Sequence, residues 1–332
     1  MVYDGLEIDM LAVKDADCIL VTRWYSDNSV PKRVLIDGGH KEDAETVGKF
    51  LAQRKIDRLS HVVRTHPHDD HSGGLIELLK DHDLKVGRAW MHIPENHVDR
   101  AVVDAALSKS VNIREASIMR KSLNDADDLQ EVLRRRGTPI SEPFAGDNIG
   151  FLTVCGPSQA YYKELVGKFE NMDEIKQVTA TTRRQAGLLK AITDSVPPDD
   201  EDLLDEPEER PINNSSAILG TKFEGGVHLF TADAGVQALT KASEAYTLED
   251  CFWMQMPHHG RWRNINQRLI DLFAPTQVMV SAAGNEKHPR QAVIQAFKSR
   301  GTHVFGTHVS GHLWLSRGTV PERSGYTAAK LL

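Results

Sequence analysis

Three histidines and two aspartates fall within residues 66–71, which read HPHDDH. Imidazole and carboxylate groups are the ligands that zinc, manganese and iron take from proteins. His66 and His68 alternate, so an extended segment projects both side chains to the same side. Asp70 and His71 follow after a turn, where they can face a second ion nearby. The spacing H-x-H-x-D-H therefore predicts a metal site rather than a polar loop that is merely rich in histidine.

The elements around this cluster would hold it at the carboxyl end of a strand. The apolar residues 61–63 before it are typical of a short strand, and residues 74–79 after it have helical spacing. Upstream, residues 6–13, 17–22 and 33–36 predict three further strands. Ligands in a loop between a strand and a helix are well placed to converge on one site.

Further candidate ligands follow strands in the second half of the chain. A predicted strand ends at Asp233, and an apolar strand over 251–256 is followed by His258 and His259. Polar groups at successive strand ends are expected when the loops of a sheet build one site. A carboxylate such as Asp233 can bridge two ions, which together clamp an anionic centre during in-line displacement. The alternatives are a turn aspartate and a structural histidine pair.

Taken in order, these motifs resemble the metal-binding signature of the metallo-β-lactamase fold superfamily. More narrowly, they resemble the metallo-β-lactamase-type domain of the ComEC competence (DNA-uptake) proteins and their stand-alone relatives. The matching segments are 66–74, 214–218, 230–233, 257–260, 281–285 and 288–289. The resemblance implies an α/β (α+β) fold, a four-layer αβ/βα sandwich of two mixed sheets with helices outside. It also implies that Asp37 supports the metal loop without ligating; an ordinary turn aspartate is the alternative.

The resemblance implies two divalent metal ions as cofactors, with zinc expected and manganese as the alternative. The implied metal ligands are His66, His68, Asp70, His71, Asp233 and His259. The first two histidines would hold one ion and the next two residues the other. The later aspartate would bridge them, and the last histidine would complete the second site.

Three residues are expected to take part in catalysis. Asp70 would act beside the metal as well as ligating it. His258 would face the substrate as an acid or phosphate contact, although the order of His258 and His259 could be reversed. His288 matches a family position near the active site, where an imidazole can stabilise a leaving group.

The sequence departs from the superfamily pattern in two short segments. The superfamily usually has a further histidine after the middle strand, and residues 152–158 offer none. The third ligand of the first ion is therefore undefined. The His-His-Gly motif is followed by Arg261, Trp262 and Arg263 instead of a small serine. Two guanidinium groups and an indole beside the metal are expected to bind a phosphodiester and to stack a base.

A third departure is the length of chain between the metal loop and Asp233. We expect a single metallo-β-lactamase-fold domain over 1–332, with a largely helical insertion at about 95–210. Residues 197–209 within it are rich in acidic residues and proline, and they predict a mobile, solvated loop. The insertion is a candidate lid, groove wall or partner surface.

Composition and charge limit the classes of protein to which this chain can belong. The chain of 332 residues is 40% hydrophobic and 26% charged, which is typical of a soluble globular protein. Its formal net charge of −7 argues against a broadly basic face for nucleic acid, but a local basic groove stays open. The three cysteines are far apart, and neither a signal peptide nor an apolar run of about 18 residues occurs. We expect a cytoplasmic protein with no membrane partner.

These observations lead to a metal-dependent hydrolase, with a phosphodiesterase or nuclease as the favoured activity. A hydroxide activated by two metal ions would attack phosphorus, and nucleic acid or another phosphodiester would be the substrate. One alternative is a hydrolase of a smaller ester, such as a phosphocholine-type diester, a cyclic nucleotide or a lactone. Another is a partner-dependent subunit of a nucleic-acid-processing or defence system, with its protein partner bound through the helical insertion.

Overall fold

Two seven-stranded sheets form the frame of the protein. The computed structural model describes residues 2–27, 29–80, 83–97, 128–168, 210–323 and 328–332. The first sheet contains β1 (Asp4–Met10), β2 (Ile19–Trp24), β3 (Lys32–Ile36), β4 (Arg58–Val63), β5 (Lys85–Trp90), β6 (Ile140–Ser141) and β14 (Leu313–Thr319). Its order is β14-β1-β2-β3-β4-β5-β6. Strands β3 to β6 run parallel, whereas β14, β1, β2 and β3 pair antiparallel, so the sheet is mixed.

The second sheet is also mixed. It contains β7 (Asn148–Ile149), β8 (Leu152–Gly156), β9 (Ile218–Phe223), β10 (Gly226–Phe230), β11 (Cys251–Gln255), β12 (Gln277–Val280) and β13 (His303–Gly306). Its order is β13-β12-β11-β10-β9-β8-β7, in which β10 to β13 run parallel and β7 to β10 pair antiparallel. The parallel strands end at one edge, where their following loops can meet.

The two sheets pack face to face through apolar side chains that alternate along the strands. Leu6 and Ile8 of β1 share one buried cluster with Leu219, Phe230 and Trp253 of the second sheet. Because alternate residues of a strand point to opposite faces, Gly5, Glu7 and Asp9 of β1 face away from this cluster. Burial of this inner cluster holds the carboxyl ends of β4, β10 and β11 in fixed relation.

Helices cover the outer faces of both sheets, each over its own apolar cluster. The helices are α1 (Ala44–Gln53), α2 (Asp69–Leu78), α3 (Gln159–Lys168), α4 (Pro211–Asn214), α5 (Val236–Ala245), α6 (Gln267–Phe273), α7 (Gln291–Lys298) and α8 (Thr307–Ser310). Residues 128–135 are helical as well. This arrangement confirms the predicted four-layer αβ/βα sandwich. Within the described ranges, no helix has both the length and the apolar character to span a membrane.

Three local predictions differ from the structure. Helix α2 begins at Asp69 and not at Gly74, so Asp70 and His71 lie in its first turn rather than in a loop. Residues 149–154, whose apolar pattern predicts a single strand, form a hairpin instead, because Gly150 turns the chain at φ +66°. Residues 213–217, which the sequence pattern predicts as the start of a strand, precede β9 instead of belonging to it, since Pro211 begins the short helix α4.

Glycines in α2 and in the turn after β3 allow these two segments to pack closely together. Gly38 N–H donates to His71 O (3.0 Å), and Gly74 N–H donates to Gly39 O (2.8 Å). A Cβ on Gly74 would overlap the carbonyl oxygen of Gly38. The helix therefore packs directly on the turn after β3, an approach that helical periodicity does not encode.

The predicted helical insertion at about 95–210 is described only in part. Residues 128–168 contain two helical segments, but they also contribute β6, β7 and β8 to the sheets. The segments 98–127 and 169–209, which include the predicted acidic loop at 197–209, lie outside the described residues. The single-domain boundary at 1–332 stays a prediction.

His92, just beyond β5, illustrates how burial sets the charge of a histidine in this fold. Its side chain is buried, stacks on Tyr162 with ring centroids 4.2 Å apart, and donates from Nε2–H to Pro143 O (2.9 Å). Burial and the nearby Arg64 guanidinium lower the pKa of His92 to about 3. An unfolded histidine has a pKa of about 6.5, so the unfolded state takes up a proton first as the pH falls. The stability from neutral His92 is thus complete above pH 6.5 and is lost progressively towards pH 3.

Replacement of His92 by glutamine is expected to reduce the acid sensitivity of folding. Both proteins are compared without metal as the pH is lowered from 7 to 5. The unfolding free energy of His92→Gln should fall by about 2 kcal/mol less than that of the parent protein. Urea unfolding in the presence of a chelator measures this difference. His303→Gln, which removes an exposed histidine, is the control and should follow the parent. Equal acid sensitivity of His92→Gln and the parent would contradict the assignment.

Candidate metal centre

Seven side chains from three loops meet at the shared edge of the two sheets. The segment after β4 supplies His66 and His68, and the first turn of α2 adds Asp70 and His71. The loop after β10 supplies Asp233, and the turn after β11 supplies a histidine pair. These seven residues are His66, His68, Asp70, His71, Asp233, His258 and His259. Asp233 is fully buried at their centre.

One oxygen of Asp233 faces the imidazoles of α2 and of the second histidine in the pair. Asp233 Oδ1 lies 3.3 Å from His71 Nε2 and 3.8 Å from His259 Nε2. Asp70 Oδ2 lies 3.8 Å and 3.5 Å from the same two nitrogens. We call these three side chains with Asp233 Oδ1 the Oδ1 half-site.

The other oxygen of Asp233 faces a second group. Asp233 Oδ2 lies 3.7 Å from His66 Nε2 and 3.5 Å from His258 Nε2. His66 Nε2 and His68 Nδ1 face each other at 3.0 Å. These three histidines with Asp233 Oδ2 form the Oδ2 half-site. The two half-sites share only the carboxylate of Asp233.

The outer ring nitrogens define which inner nitrogens carry lone pairs. His71 Nδ1–H donates to Asp37 Oδ2 (2.8 Å), and His259 Nδ1–H donates to Ser281 O (3.1 Å). Both partners are acceptors only, so in the neutral rings the Nε2 atoms are bare. They point at Asp233, whose two oxygens accept no hydrogen bond from the described residues. Bare imidazole nitrogens that face carboxylate oxygens in a buried space need a cation between them. Imidazole nitrogen and carboxylate oxygen are ligands that suit divalent metals. The residues present therefore fit a metal centre.

Charge is distributed unevenly over the centre in the absence of an ion. Burial opposes protonation of His71, but Asp233, Asp70 and Asp37 outweigh it and hold the pKa of His71 well above its usual value. Burial likewise opposes protonation of His259, yet Asp17 and Asp233 raise its pKa to about 9. A metal bound in the Oδ1 half-site would therefore have to displace protons from these two imidazoles.

The imidazoles of the Oδ2 half-site are neutral by contrast. Burial and the neighbouring His71 lower the pKa of His66 well below its usual value. Burial also lowers the pKa of His258 strongly, against the opposing effect of Asp233. Its imidazoles thus present lone pairs at neutral pH, as metal ligation requires.

Strained backbone aims the histidine pair. His258 (φ 49°, ψ 53°) and His259 (φ 55°, ψ 22°) are both left-handed, as is Ala232 (φ 46°) beside Asp233. His258 N–H donates to Ala232 O at 3.0 Å, which ties the two loops together. Left-handed non-glycine residues cost of order 1–3 kcal/mol each and cluster at functional sites. Here they send consecutive imidazoles to opposite oxygens of one carboxylate.

Two buried aspartates support the centre from behind. Asp37 Oδ1 accepts from Thr65 N–H (2.8 Å), and its Oδ2 accepts from Thr65 Oγ1–H (2.7 Å) and from His71. These contacts agree with the supporting role considered for Asp37 and not with an ordinary turn residue. Outer partners of this kind fix the orientation of metal-ligating histidines.

Asp17 is the supporting residue that the sequence analysis missed. It accepts from Gln255 Nε2–H (2.8 Å), and its oxygens lie 3.9 Å from the Nδ1 atoms of His71 and His259. Burial raises the pKa of Asp17 to about 6, against the lowering effect of His259 and His71. An aspartate directly before an apolar strand was the available signal, but its partner Gln255 is remote in the chain.

The remaining predicted site residues lie around this centre. His288 is partly buried, and its ring stacks on His258 with centroids 5.9 Å apart. Arg261 N–H donates to His258 O (2.9 Å). The Arg263 guanidinium lies 4.7 Å from the centroid of the Trp262 ring, and Trp262 packs on the outer apolar cluster of the second sheet. Stacking of a base on Trp262 stays a prediction, as do the catalytic roles.

Part of the chain matches a known protein family. Residues 29–157 match the model of the metallo-beta-lactamase superfamily. This span includes β3, β4 and the 66–71 cluster, and the two mixed sheets form the corresponding sandwich. The first half of the chain is thus similar to a metallo-β-lactamase superfamily domain, and members of that superfamily are metal-dependent hydrolases.

Solved structures resemble the chain only weakly. One is a diphosphatase of the PhnP family, at 9% identity over 92% of this chain and 86% of that chain, with a TM-score of 0.39. Another is MEM-A1, a subclass B3 metallo-β-lactamase from a soil metagenome library, at 12% identity over 91% of each chain, with a TM-score of 0.35. Likenesses of this size indicate nothing about the substrate of this chain. No curated protein matches its sequence at a significant level.

Proposed function

We propose that the protein is a metal-dependent phosphodiesterase, with nuclease as the favoured activity. The observation that carries the proposal is the buried carboxylate of Asp233. Each of its oxygens lies within 3.8 Å of two imidazole nitrogens, in two half-sites that share no other group. Such a bridged pair suits two cations, and paired cations are the usual means of stabilising phosphoryl transfer.

The chain's own residues would divide the work. His66 and His68 would hold one ion, Asp70, His71 and His259 the other, and Asp233 both. When bound, two divalent ions lower the pKa of a water and neutralise charge developing on phosphorus. We propose zinc as the resident metal and manganese as the alternative, since both accept imidazole and carboxylate.

Residues at the edge of the centre would bind and orient the phosphodiester. The side chain of Asp70 is 24% exposed and leaves the centre open on that side. His288 would donate a proton towards the leaving group, and Arg261 and Arg263 would supply charge-assisted hydrogen bonds to phosphate oxygens. A net charge of −7 makes such local cations the source of affinity for a polyanion. Trp262 would contribute apolar contact.

Two alternatives stay open. A smaller ester, such as a phosphocholine-type diester, a cyclic nucleotide or a lactone, would use the same centre. A partner-dependent subunit of a nucleic-acid-processing or defence system would cleave nucleic acid only when the partner is bound. The second alternative follows from the acidic net charge, which disfavours unassisted binding of DNA. The proposed relation to ComEC-type domains is compatible with either.

A substrate panel tests the proposal. Protein loaded with zinc or manganese is expected to hydrolyse bis(p-nitrophenyl) phosphate and to nick single- or double-stranded DNA or RNA. It should leave a β-lactam and a lactone largely intact. Asp70→Ala should lower phosphodiesterase turnover by more than about a hundredfold, beyond the usual loss on removing an outer partner of a ligand.

Asp69→Ala is the matched control for Asp70→Ala. Asp69 precedes Asp70 in the same helical turn, but its Oδ2 faces His40 Nδ1 (3.4 Å) and not the metal centre. Turnover by Asp69→Ala should stay within a few-fold of the parent. Full activity of Asp70→Ala, or hydrolysis of the lactone in preference to every phosphodiester, would overturn the proposal.

A further inference from the structure

We infer that His258 is the third protein ligand of the ion in the Oδ2 half-site, and that Asn213 is the residue that positions it. The inference rests on the two-ion centre of the proposed function, but not on its substrate. It revises the expectation that His258 contacts substrate while His259 alone ligates.

The first observation is a missing ligand. The chain has no histidine between His97 and His228, so neither β8 nor the residues after it can supply an imidazole to the centre. His66 and His68 alone give the Oδ2 half-site two nitrogens and one oxygen of Asp233. A metal held in that way needs a further donor to reach the usual tetrahedral set.

The second observation is the direction of the His258 ring. His258 Nε2 lies 3.5 Å from Asp233 Oδ2, the oxygen that also faces His66 Nε2 at 3.7 Å. His259 lies on the other oxygen. The two rings are nearly perpendicular, at 87° with centroids 5.8 Å apart. The pair therefore straddles Asp233, with one imidazole for each half-site, so the turn after β11 replaces the absent histidine.

The third observation is an amide against the far side of the ring. Asn213, at 0% exposure in α4, places its amide nitrogen 3.2 Å from His258 Nδ1, while its Oδ1 is buried without a hydrogen-bond partner among the described residues. Rotation of the amide by half a turn exchanges the two atoms. The oxygen then accepts Nδ1–H, which leaves Nε2 bare for a metal, as the acceptors on His71 and His259 already do.

Zinc stoichiometry tests the assignment of His258. Equilibrium dialysis of the full chain should give two ions per protein. His258→Ala should retain one ion at parental affinity and bind the other at least about tenfold more weakly. His288→Ala is the matched control, because His288 stacks on His258 without facing Asp233, and it should retain both ions. If the alanine variant does not fold, His258→Gln, which keeps the side-chain volume, gives the same comparison.

Cobalt provides a spectroscopic reading of the same ligand. The visible absorption of bound Co²⁺ should change in His258→Ala for one ion only. Two ions bound to this variant with parental affinity and spectrum would overturn the inference. The inference and the proposed function can fail separately. If His258→Ala loses one ion while the parent protein cleaves no phosphodiester, His258 is supported as a ligand and only the proposed function is contradicted.

Asn213 is tested by separating its acceptor from its volume. Asn213→Leu should weaken binding of the Oδ2 half-site ion about 10–100-fold, the range for loss of an outer partner. Asn213→Asp keeps an oxygen towards Nδ1 and should restore the affinity. Equal weakening by both variants, or by neither, would show that the amide does not position His258.

Discussion

Asp233→Asn is expected to remove metal binding and hydrolysis together. The carboxylate is the group that the two half-sites share, and each of its oxygens faces the Nε2 atoms of two imidazoles. The amide keeps the shape but carries no charge and turns an N–H₂ group towards one half-site. Phosphodiester turnover should fall by at least about a thousandfold, since loss of a single preorganised electrostatic contact already costs 10²–10³.

The same variant has a signature in stability. A ligand that binds only the folded protein stabilises it by about 2.7 kcal/mol at a concentration of 100 Kd. Zinc should therefore raise the Tm of the parent by several degrees and leave Asp233→Asn almost unchanged. Differential scanning fluorimetry with zinc or with chelator measures both. This readout is independent of any choice of substrate.

Asp17→Asn is the control for this experiment. Asp17 is equally buried, but it lies behind the imidazoles, 3.9 Å from the Nδ1 atoms of His71 and His259. Its replacement should weaken zinc binding without abolishing the rise in Tm. A zinc response in Asp233→Asn as large as that of the parent would exclude the bridged centre.

The clustering of the four candidate ligands in residues 66–71 was predictable because their spacing is local. His66, His68, Asp70 and His71 are fixed by one strand and one helical turn, so sequence proximity becomes spatial proximity. Asp233 was predictable for another reason, since it follows a recognisable strand. The predicted sandwich of two mixed sheets was correct, and it was implied by the resemblance of the ordered motifs to the metallo-β-lactamase fold.

The supporting residues were not predictable in this way. Asp17 and Gln255 meet across the interface of the two sheets, separated by 238 positions. Asn213 was assigned to a strand and lies instead in α4. Such contacts depend on how distant strands approach one another, and a single sequence contains no period that reports it.

The different directions of the His258 and His259 rings could not be predicted from the sequence either. Sequence adjacency places His258 and His259 in one turn, but it does not fix where each ring points. Left-handed backbone at both positions, φ 49° and 55°, separates the rings towards different oxygens of Asp233. A residue that strains the backbone is unfavourable locally, so propensity arguments point away from this conformation.

Asp37→Ala is expected to give the largest loss of stability among single replacements at the centre. The carboxylate accepts three hydrogen bonds, from Thr65 N–H, Thr65 Oγ1–H and His71 Nδ1–H, and it is fully buried. Removing a buried acceptor leaves its donors unsatisfied, at a cost of about 1–3 kcal/mol for each group. Breaking a buried charged pair costs about 3–5 kcal/mol. We expect a loss of about 3–5 kcal/mol in urea unfolding with chelator present.

The backbone of Asp37 allows this cost to be divided. Its φ of +56° is left-handed, a conformation that asparagine and glycine tolerate better than alanine. Asp37→Gly should therefore be about 1 kcal/mol more stable than Asp37→Ala, since only the carboxylate is lost without added strain. Asp37→Asn should fall between them and the parent, because its oxygen can still accept from Thr65 or His71.

Metal affinity should follow the same order as stability, because the hydrogen bond to Asp37 fixes the tautomer of His71. Loss of this partner should weaken zinc binding about 10–100-fold in Asp37→Ala. His71 would then be free to turn or to carry its proton on Nε2, the atom that faces Asp233 Oδ1. A protein that unfolds within 1 kcal/mol of the parent and binds zinc normally after Asp37→Ala would mean that Thr65 and the packing of α2 alone orient the ring.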